Sequence, residues 1–197
     1  MEINQLKHYI EEEKKGIETL LSSLDEKVIK AASLIEKCEG TVIFLAVGKS
    51  AHIGRKLAAT FSSTGTPSFF VHGTEACHGD LGMIEKKDVV ILISNSGSTK
   101  EVTQNIVPIK AIGAKTIAFT SKETSPLAEG CDEVILIPSL KEADALNLAP
   151  TTSSTMTLVL GDAIACALSE NKRFTRKNFY GFHPNGALGA SLQKENL

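Results

Sequence analysis

Apolar positions along the chain fall into two kinds of run. Thr41–Val47 and Val89–Ile93 are nearly continuous, and four of the five residues in the second are β-branched. Such runs are expected of strands buried on both faces of a parallel sheet. Ser68–Val71, Lys115–Thr120 and Asp132–Ile137 are three more candidate strands, the last ended by Pro138. The other runs repeat at three and four residues, the spacing of one helix face. Ile17, Leu20, Leu21, Leu24, Val28, Ala31 and Ile35 draw one such stripe, and Leu6 and Ile10 begin a similar one. Helices are therefore expected over 3–15 and 17–37, separated or bent at Gly16. Ile53, Leu57, Ala58 and Phe61 predict a helix after the first strand. Val102, Ile106 and Ile109 predict one after the third, with Pro108 a local irregularity. Ser125-Pro126 suits the cap and first turn of a short helix. Met156–Leu168 is apolar almost all round, so it predicts a helix buried against the sheet or a second subunit. From residue 41 onward, strands and helices alternate. That is the signature of an α/β fold with a parallel sheet covered on both faces. The expected organisation is an N-terminal helical segment, 1–40, packing on the domain or on a partner subunit, followed by one α/β domain, 41–197.

Composition narrows the class. Hydrophobic residues make up 42% and charged residues 22% of the 197, so the chain is globular. The formal charge of −2 and the lack of a basic stripe argue against nucleic acid as the main partner. Cys38, Cys77, Cys131 and Cys166 are scattered, which suggests neither a disulfide framework nor a zinc finger and fits a reducing cytosol. The N-terminus has no basic start or apolar h-region, and Val42–Val47 is too short to cross a membrane. The expectation is a soluble cytoplasmic protein.

The chemistry gathers where strands end. After Ile93 the polarity inverts into Ser94-Asn95-Ser96-Gly97-Ser98-Thr99. This stretch reads either as an anion pocket of hydroxyls, amides and a helix N-terminus, or as a well-capped turn. After the first strand comes Gly48-Lys49-Ser50. A nucleotide P-loop would need Gly at position 43, which is Ile43, so that reading is rejected. Lys49 then reads as a surface lysine or as a site residue at the carboxyl end of a strand. His72–Gly82 holds His72, Glu75, Cys77, His78 and Asp80, but its spacing matches no zinc pattern, and a polar loop lining a site is preferred over a metal centre. Glu142 and Asp144 follow the fifth strand. Thr151–Thr155 is a run of five hydroxyl residues, more than one helix cap requires. Asp162, inside the apolar helix, needs a partner if buried. His183 lies in a Pro/Gly turn near the end of the chain.

These segments in this order resemble the sugar isomerase (SIS) domain family, and within it the arabinose-5-phosphate isomerase branch. The resemblance covers about 41–192. It rests on Val47-Gly48-Lys49-Ser50-Ala51-His52-Ile53-Gly54-Arg55-Lys56, Thr64–Phe70, His78-Gly79-Asp80-Leu81-Gly82, Ile93-Ser94-Asn95-Ser96-Gly97, Leu148-Ala149-Pro150-Thr151 and His183-Pro184-Asn185-Gly186-Ala187-Leu188-Gly189. It implies a five-stranded parallel sheet flanked by helices and interconversion of D-ribulose 5-phosphate with D-arabinose 5-phosphate, toward the octulosonate sugar of lipopolysaccharide. It places phosphate binding on Ser94, Asn95, Ser96 and Thr99 and catalysis on Lys49, His78, Glu101, Glu142 and His183. It implies no metal and no cofactor, and a homotetramer whose sites collect side chains from more than one subunit. In the expected chemistry His183 is the acid/base, because imidazole titrates near neutrality. Glu142 orients it or shares the proton transfer, Lys49 stabilises the enediolate, Glu101 positions Lys49 or a hydroxyl, and His78 assists ring opening or binds substrate. Many relatives have Gly-Glu at Gly97-Ser98 and Pro-Gly-Gly at Pro184–Gly186. Longer relatives add a pair of CBS domains, and the expectation here is a short form without them. Two alternatives are a non-catalytic sugar-phosphate sensor and an isomerase of another ketose phosphate. Residues 1–40 are too acidic and too regularly amphipathic for the helix-turn-helix domain that such regulators carry.

Overall fold

The computed structural model describes residues 1–193; residues 194–197, the end of the expected 41–197 domain, lie outside the described residues. Helices α1 (Ile3–Ser23) and α2 (Glu26–Glu36) precede β1 (Val42–Ala46). Next come α3 (Gly48–Ser63), β2 (Ser68–His72), α4 (Gly73–Ala76), a 3₁₀ turn at Asp80–Met83 and β3 (Val89–Ile93). Then follow α5 (Lys100–Thr103), α6 (Ile106–Ile112), β4 (Lys115–Thr120), α7 (Pro126–Gly130) and β5 (Glu133–Leu136). The chain continues with α8 (Thr152–Asn171), α9 (Arg176–Phe182) and α10 (Gly186–Gln193).

All strand pairs are parallel, in the order β2-β1-β3-β4-β5. Successive side chains on a strand point to opposite faces, and the core divides accordingly. Val42, Phe44, Ile91, Ile117 and Phe119 meet α2, α3 and α8 through Ile35, Leu57, Phe61, Met156 and Leu160. Ile43, Leu45, Val90, Leu92 and Ala118 meet the opposite layer through Val102, Ile106, Ile109 and Leu127. The expected five-stranded parallel sheet flanked by helices is what forms. Ser125 caps α7 with Pro126 in its first turn, also as expected.

Two helix expectations are corrected. Gly16 does not separate two helices: α1 runs through it, and the chain turns instead at Leu24-Asp25, where Asp25 accepts a hydrogen bond from the Lys27 amide and caps α2. Gly16 is buried against α8, and a Cβ there would lie 2.5 Å from Thr152 Cγ2. Its lack of a side chain serves close helix packing rather than a break. After Thr99, one helix becomes two, α5 and α6, with a turn at Gln104-Asn105. Pro108 lacks the N–H that would reach the Gln104 carbonyl, and its ring crowds that oxygen, so the helix breaks four residues upstream of the proline. Asn105 is fully buried in the gap. Its Nδ2 donates to the carbonyls of Glu101 (2.8 Å) and Gly73 (3.0 Å), and its Oδ1 accepts from Cys77 Sγ, which ties α5 to α4. Asp162, half-buried on α8, has its partner in Lys56 Nζ at 2.6 Å.

Gly16→Val should lower unfolding stability by about 1–3 kcal/mol in urea titration, the usual penalty of overpacking. Unchanged or raised stability, as expected if only the poor helix propensity of glycine mattered, would show that α1 and α8 do not approach so closely.

Candidate functional site

The chain winds outward from β1 to β2 and then crosses to β3 on the other side. In such a sheet a crevice opens at the carboxyl ends of the two strands where the winding reverses. Here it is a cleft of ≈ 430 Å³, walled by Val47 and Ser50 after β1, by Ser94–Ser96 and Thr99 after β3, and by Glu142 and Ser153 from the β5–α8 connection.

The serine loop forms the floor. Gly97 has φ +65°, and a Cβ there would collide with Ser125 Oγ, so only glycine lets the loop turn against α7. Its amide donates to the Ser94 carbonyl at 3.0 Å, and its carbonyl accepts from the Leu127 amide at 3.0 Å. Ser94 Oγ lies 2.9 Å from Thr99 Oγ1. The Asn95 carbonyl is held by the amide and hydroxyl of Ser121. Among the described residues, the amides of Asn95, Ser96 and Thr99 have no hydrogen-bond partner, and no Lys or Arg lines the cleft. A loop of free amides and hydroxyls without a cation is suited to an oxyanion held by dipoles.

Glu142 builds the wall. One carboxylate oxygen accepts from the Thr151 amide (2.8 Å), the Thr151 hydroxyl (3.2 Å) and the Ser153 amide (3.1 Å); the other accepts from the Ser153 hydroxyl. Glu142 therefore caps α8 from across the loop, at the end where the helix dipole favours negative charge. This accounts for two hydroxyls of the run; Ser154 and Thr155 bond elsewhere, to Pro150 and Thr151 carbonyls and to Glu13. Only Thr152 Oγ1 is buried without a partner among the described residues. The connection is stiffened by Asp144, whose carboxylate accepts from the amides of Leu146, Leu148 and Ala149. Desolvation pushes that carboxyl up, but the three amides hold it below the ordinary carboxylate range. Asn147, at φ +54°, accepts the Glu142 amide on Oδ1.

The structure gathers Ser94, Asn95, Ser96, Thr99 and Glu142 around this cleft. Lys49 lies between Val47 and Ser50 at the start of α3, with its own side chain exposed. Glu101 and His78 are exposed, on the first turn of α5 and just beyond α4. His183 is elsewhere in its own chain. It ends α9, stacks on Phe179 with ring centroids 4.1 Å apart, and lies beside Ala59, Ser62 and Ser63 at the far end of α3. Along that helix it is about 20 Å from Lys49. Its Nδ1 is 3.1 Å from the Phe179 carbonyl. A carbonyl only accepts, so Nδ1 carries the hydrogen and Nε2 of the neutral ring is the basic nitrogen. Reading residues in sequence missed Thr151 and Ser153 as the partners of Glu142, although the surplus of hydroxyls was their signal.

Residues 34–167 match the family model described as the SIS domain. Arabinose 5-phosphate isomerase KdsD of Pseudomonas aeruginosa is 50% identical over 181 residues, which are 91% of this chain and 55% of that protein. KdsD of Escherichia coli K12 is 52% identical over 79% of this chain and 47% of its own length. The chain spans about half the length of the curated relatives it matches. A solved structure of an Escherichia coli CFT073 protein in complex with arabinose 5-phosphate superposes with a TM-score of 0.91 at 52% identity, covering 92% of this chain and 97% of that one.

Removing the Glu142 carboxylate should leave the N-terminus of α8 uncapped and two hydroxyls without an acceptor. Glu142→Ala is expected to destabilise the fold by about 1–3 kcal/mol in urea unfolding, with Glu142→Gln intermediate. Wild-type stability in both would show that the clamp does not form.

Proposed function

This chain belongs to the SIS (sugar isomerase) domain family, and on that premise we propose that it is an arabinose-5-phosphate isomerase, interconverting D-ribulose 5-phosphate and D-arabinose 5-phosphate through a cis-enediol. The observation that carries the reading is the 52% identity, over nearly the whole of both chains, to a protein solved with arabinose 5-phosphate. The oxyanion chemistry of the serine loop agrees with it. In this reading the phosphate binds Ser94, Asn95, Ser96 and Thr99, and the carbonyl end of the open-chain sugar extends toward Lys49 and Glu142. A base removes a proton from C1 of the ketose. Charge develops on the C2 oxygen, where the Lys49 ammonium stabilises it; that oxygen then takes up a proton as the C1 hydroxyl gives one up, and a proton exchanged with solvent is delivered to C2, leaving the C1 carbonyl of the aldose. His183, through Nε2, is the acid/base. Glu142 orients the reacting groups, Glu101 positions Lys49 or a loop hydroxyl, and His78 assists ring opening or holds the sugar. The product would feed octulosonate synthesis in the cytoplasm.

His183 lies far from the cleft of its own chain, so the reading requires it to come from another copy, in a homotetramer with shared sites. Ile3, Leu6 and Ile10 on α1 and Leu146 and Leu148 beside the cleft are exposed apolar residues that such an assembly would cover.

Incubation with ribulose 5-phosphate in deuterated water, with chelator present, should yield arabinose 5-phosphate carrying deuterium at C2. Tight binding without turnover would replace the isomerase with a sensor. His183→Ala should reduce turnover at least about 10²-fold. Mixing His183→Ala with Lys49→Ala should restore part of the activity, since one composite site regains both groups. Near-normal turnover of His183→Ala removes it from the mechanism, and failure to complement removes the sharing.

A further inference from the structure

A hydroxyl has one proton to donate and room to accept two. At Ser96 both accepting positions are filled from one neighbour: the Ser98 amide donates to Ser96 Oγ at 3.3 Å and the Ser98 hydroxyl donates to it at 3.2 Å. The Ser96 proton is then left free, and Ser96 lines the cleft whereas Ser98 does not. The second hydroxyl pair behaves alike. The Gly97 amide fills one accepting position on Ser94 Oγ at 3.2 Å, and the contact between Ser94 Oγ and Thr99 Oγ1 uses one of their two protons. Each pair thus exports a single donor beside the free amides of Asn95, Ser96 and Thr99. A loop face that presents free amides and spare hydroxyl protons favours a ligand that accepts, which a fully ionised phosphate monoester does.

We infer that Ser98 is a positioning residue for phosphate binding, acting through Ser96 by turning that hydroxyl into an obligatory donor. The inference rests on reading the cleft as a sugar-phosphate site. Ser98 touches no reacting atom, so it sets affinity rather than the chemical step. Without its hydroxyl, Ser96 regains an accepting position and the freedom to rotate, and part of the binding enthalpy goes into reorienting it.

The test compares Ser98→Ala and Ser98→Thr with wild type, using the pentose phosphate as substrate and inorganic phosphate as a competing probe. Ser98→Ala should raise KM about three- to tenfold, the worth of one neutral hydrogen bond. It should raise the inorganic phosphate inhibition constant by the same factor, with kcat within about twofold. Ser98→Thr, which keeps a hydroxyl, should restore both. Unchanged KM and inhibition constants in Ser98→Ala, a fall in kcat with KM flat, or no rescue by threonine would each overturn the inference. If the wild type turns over no pentose phosphate, the isomerase reading fails. Calorimetric titration of inorganic phosphate into the same three proteins then still decides the role of Ser98.

Discussion

The reversal of winding between β1 and β3 is the constraint from which the rest of this structure follows. The connection after β1 leads to an edge strand on one side, and the connection after β3 leads to β4 on the other. The segments leaving the two strand ends diverge, and no neighbouring connection is available to fill the space between them. Every other feature of the cleft responds to that gap. Gly48, at φ +59°, turns the chain at once from β1 into α3, which leaves Ser50 at the wall. Gly97, at φ +65°, turns the serine loop against α7, which leaves Ser94, Asn95, Ser96 and Thr99 lining the opening. The β5–α8 connection then closes the third side.

That third side has little apolar support, and Leu140, Leu146 and Leu148 within it are all exposed. Its anchoring is polar instead. Asp144 holds three amides within the loop, and Glu142 joins the loop to α8 through two amides and two hydroxyls. One carboxylate therefore satisfies donors at the start of a buried helix and fixes the wall of a cleft. Both oxygens of Glu142 are engaged in this way, and in the proposed reaction its part is to orient the reacting groups. The acid/base proposed above is His183, whose Nδ1 lies 3.1 Å from the Phe179 carbonyl and whose Nε2 is left to face a substrate.

Much of this was legible in the sequence. All five strands lie within a residue or two of their runs; the plainest are β1 and β3, buried at every position with no polar residue between, whereas β2 and β5 at the edges are only partly buried. The serine loop, the Ser125-Pro126 cap and the need of Asp162 for a partner were visible for similarly local reasons. Failures came where one residue answers to another distant in sequence. Gly16 looked like a break because the thing it makes room for, Thr152, is 136 positions away. Pro108 was noticed, but its effect falls on the Gln104 carbonyl upstream, and periodicity reports faces rather than helix continuity. The surplus of hydroxyls at 151–155 was plain, whereas the carboxylate they serve belongs to the preceding loop. Strand order is not written in local pattern at all, and it is what turns two separate polar turns into one cleft.

The same distinction bears on the reacting end of the site. An oxyanion asks only for donors held in place, and a single loop of six residues between β3 and α5 carries free amides and hydroxyls. Proton transfer asks for a basic atom over the carbon, and among the cleft-lining residues Glu142 alone is ionisable. Its oxygens already hold α8. Lys49 can stabilise negative charge, but as an ammonium it has no lone pair with which to accept a proton. On the proposed reading, a single chain of this fold thus supplies the anion half of the site and leaves the proton half to another copy. The leucines beside that opening are exposed among the described residues. In the proposed homotetramer, a neighbouring copy that buries them while delivering His183 would answer both shortages with one interface, which is why that reading ties assembly to catalysis.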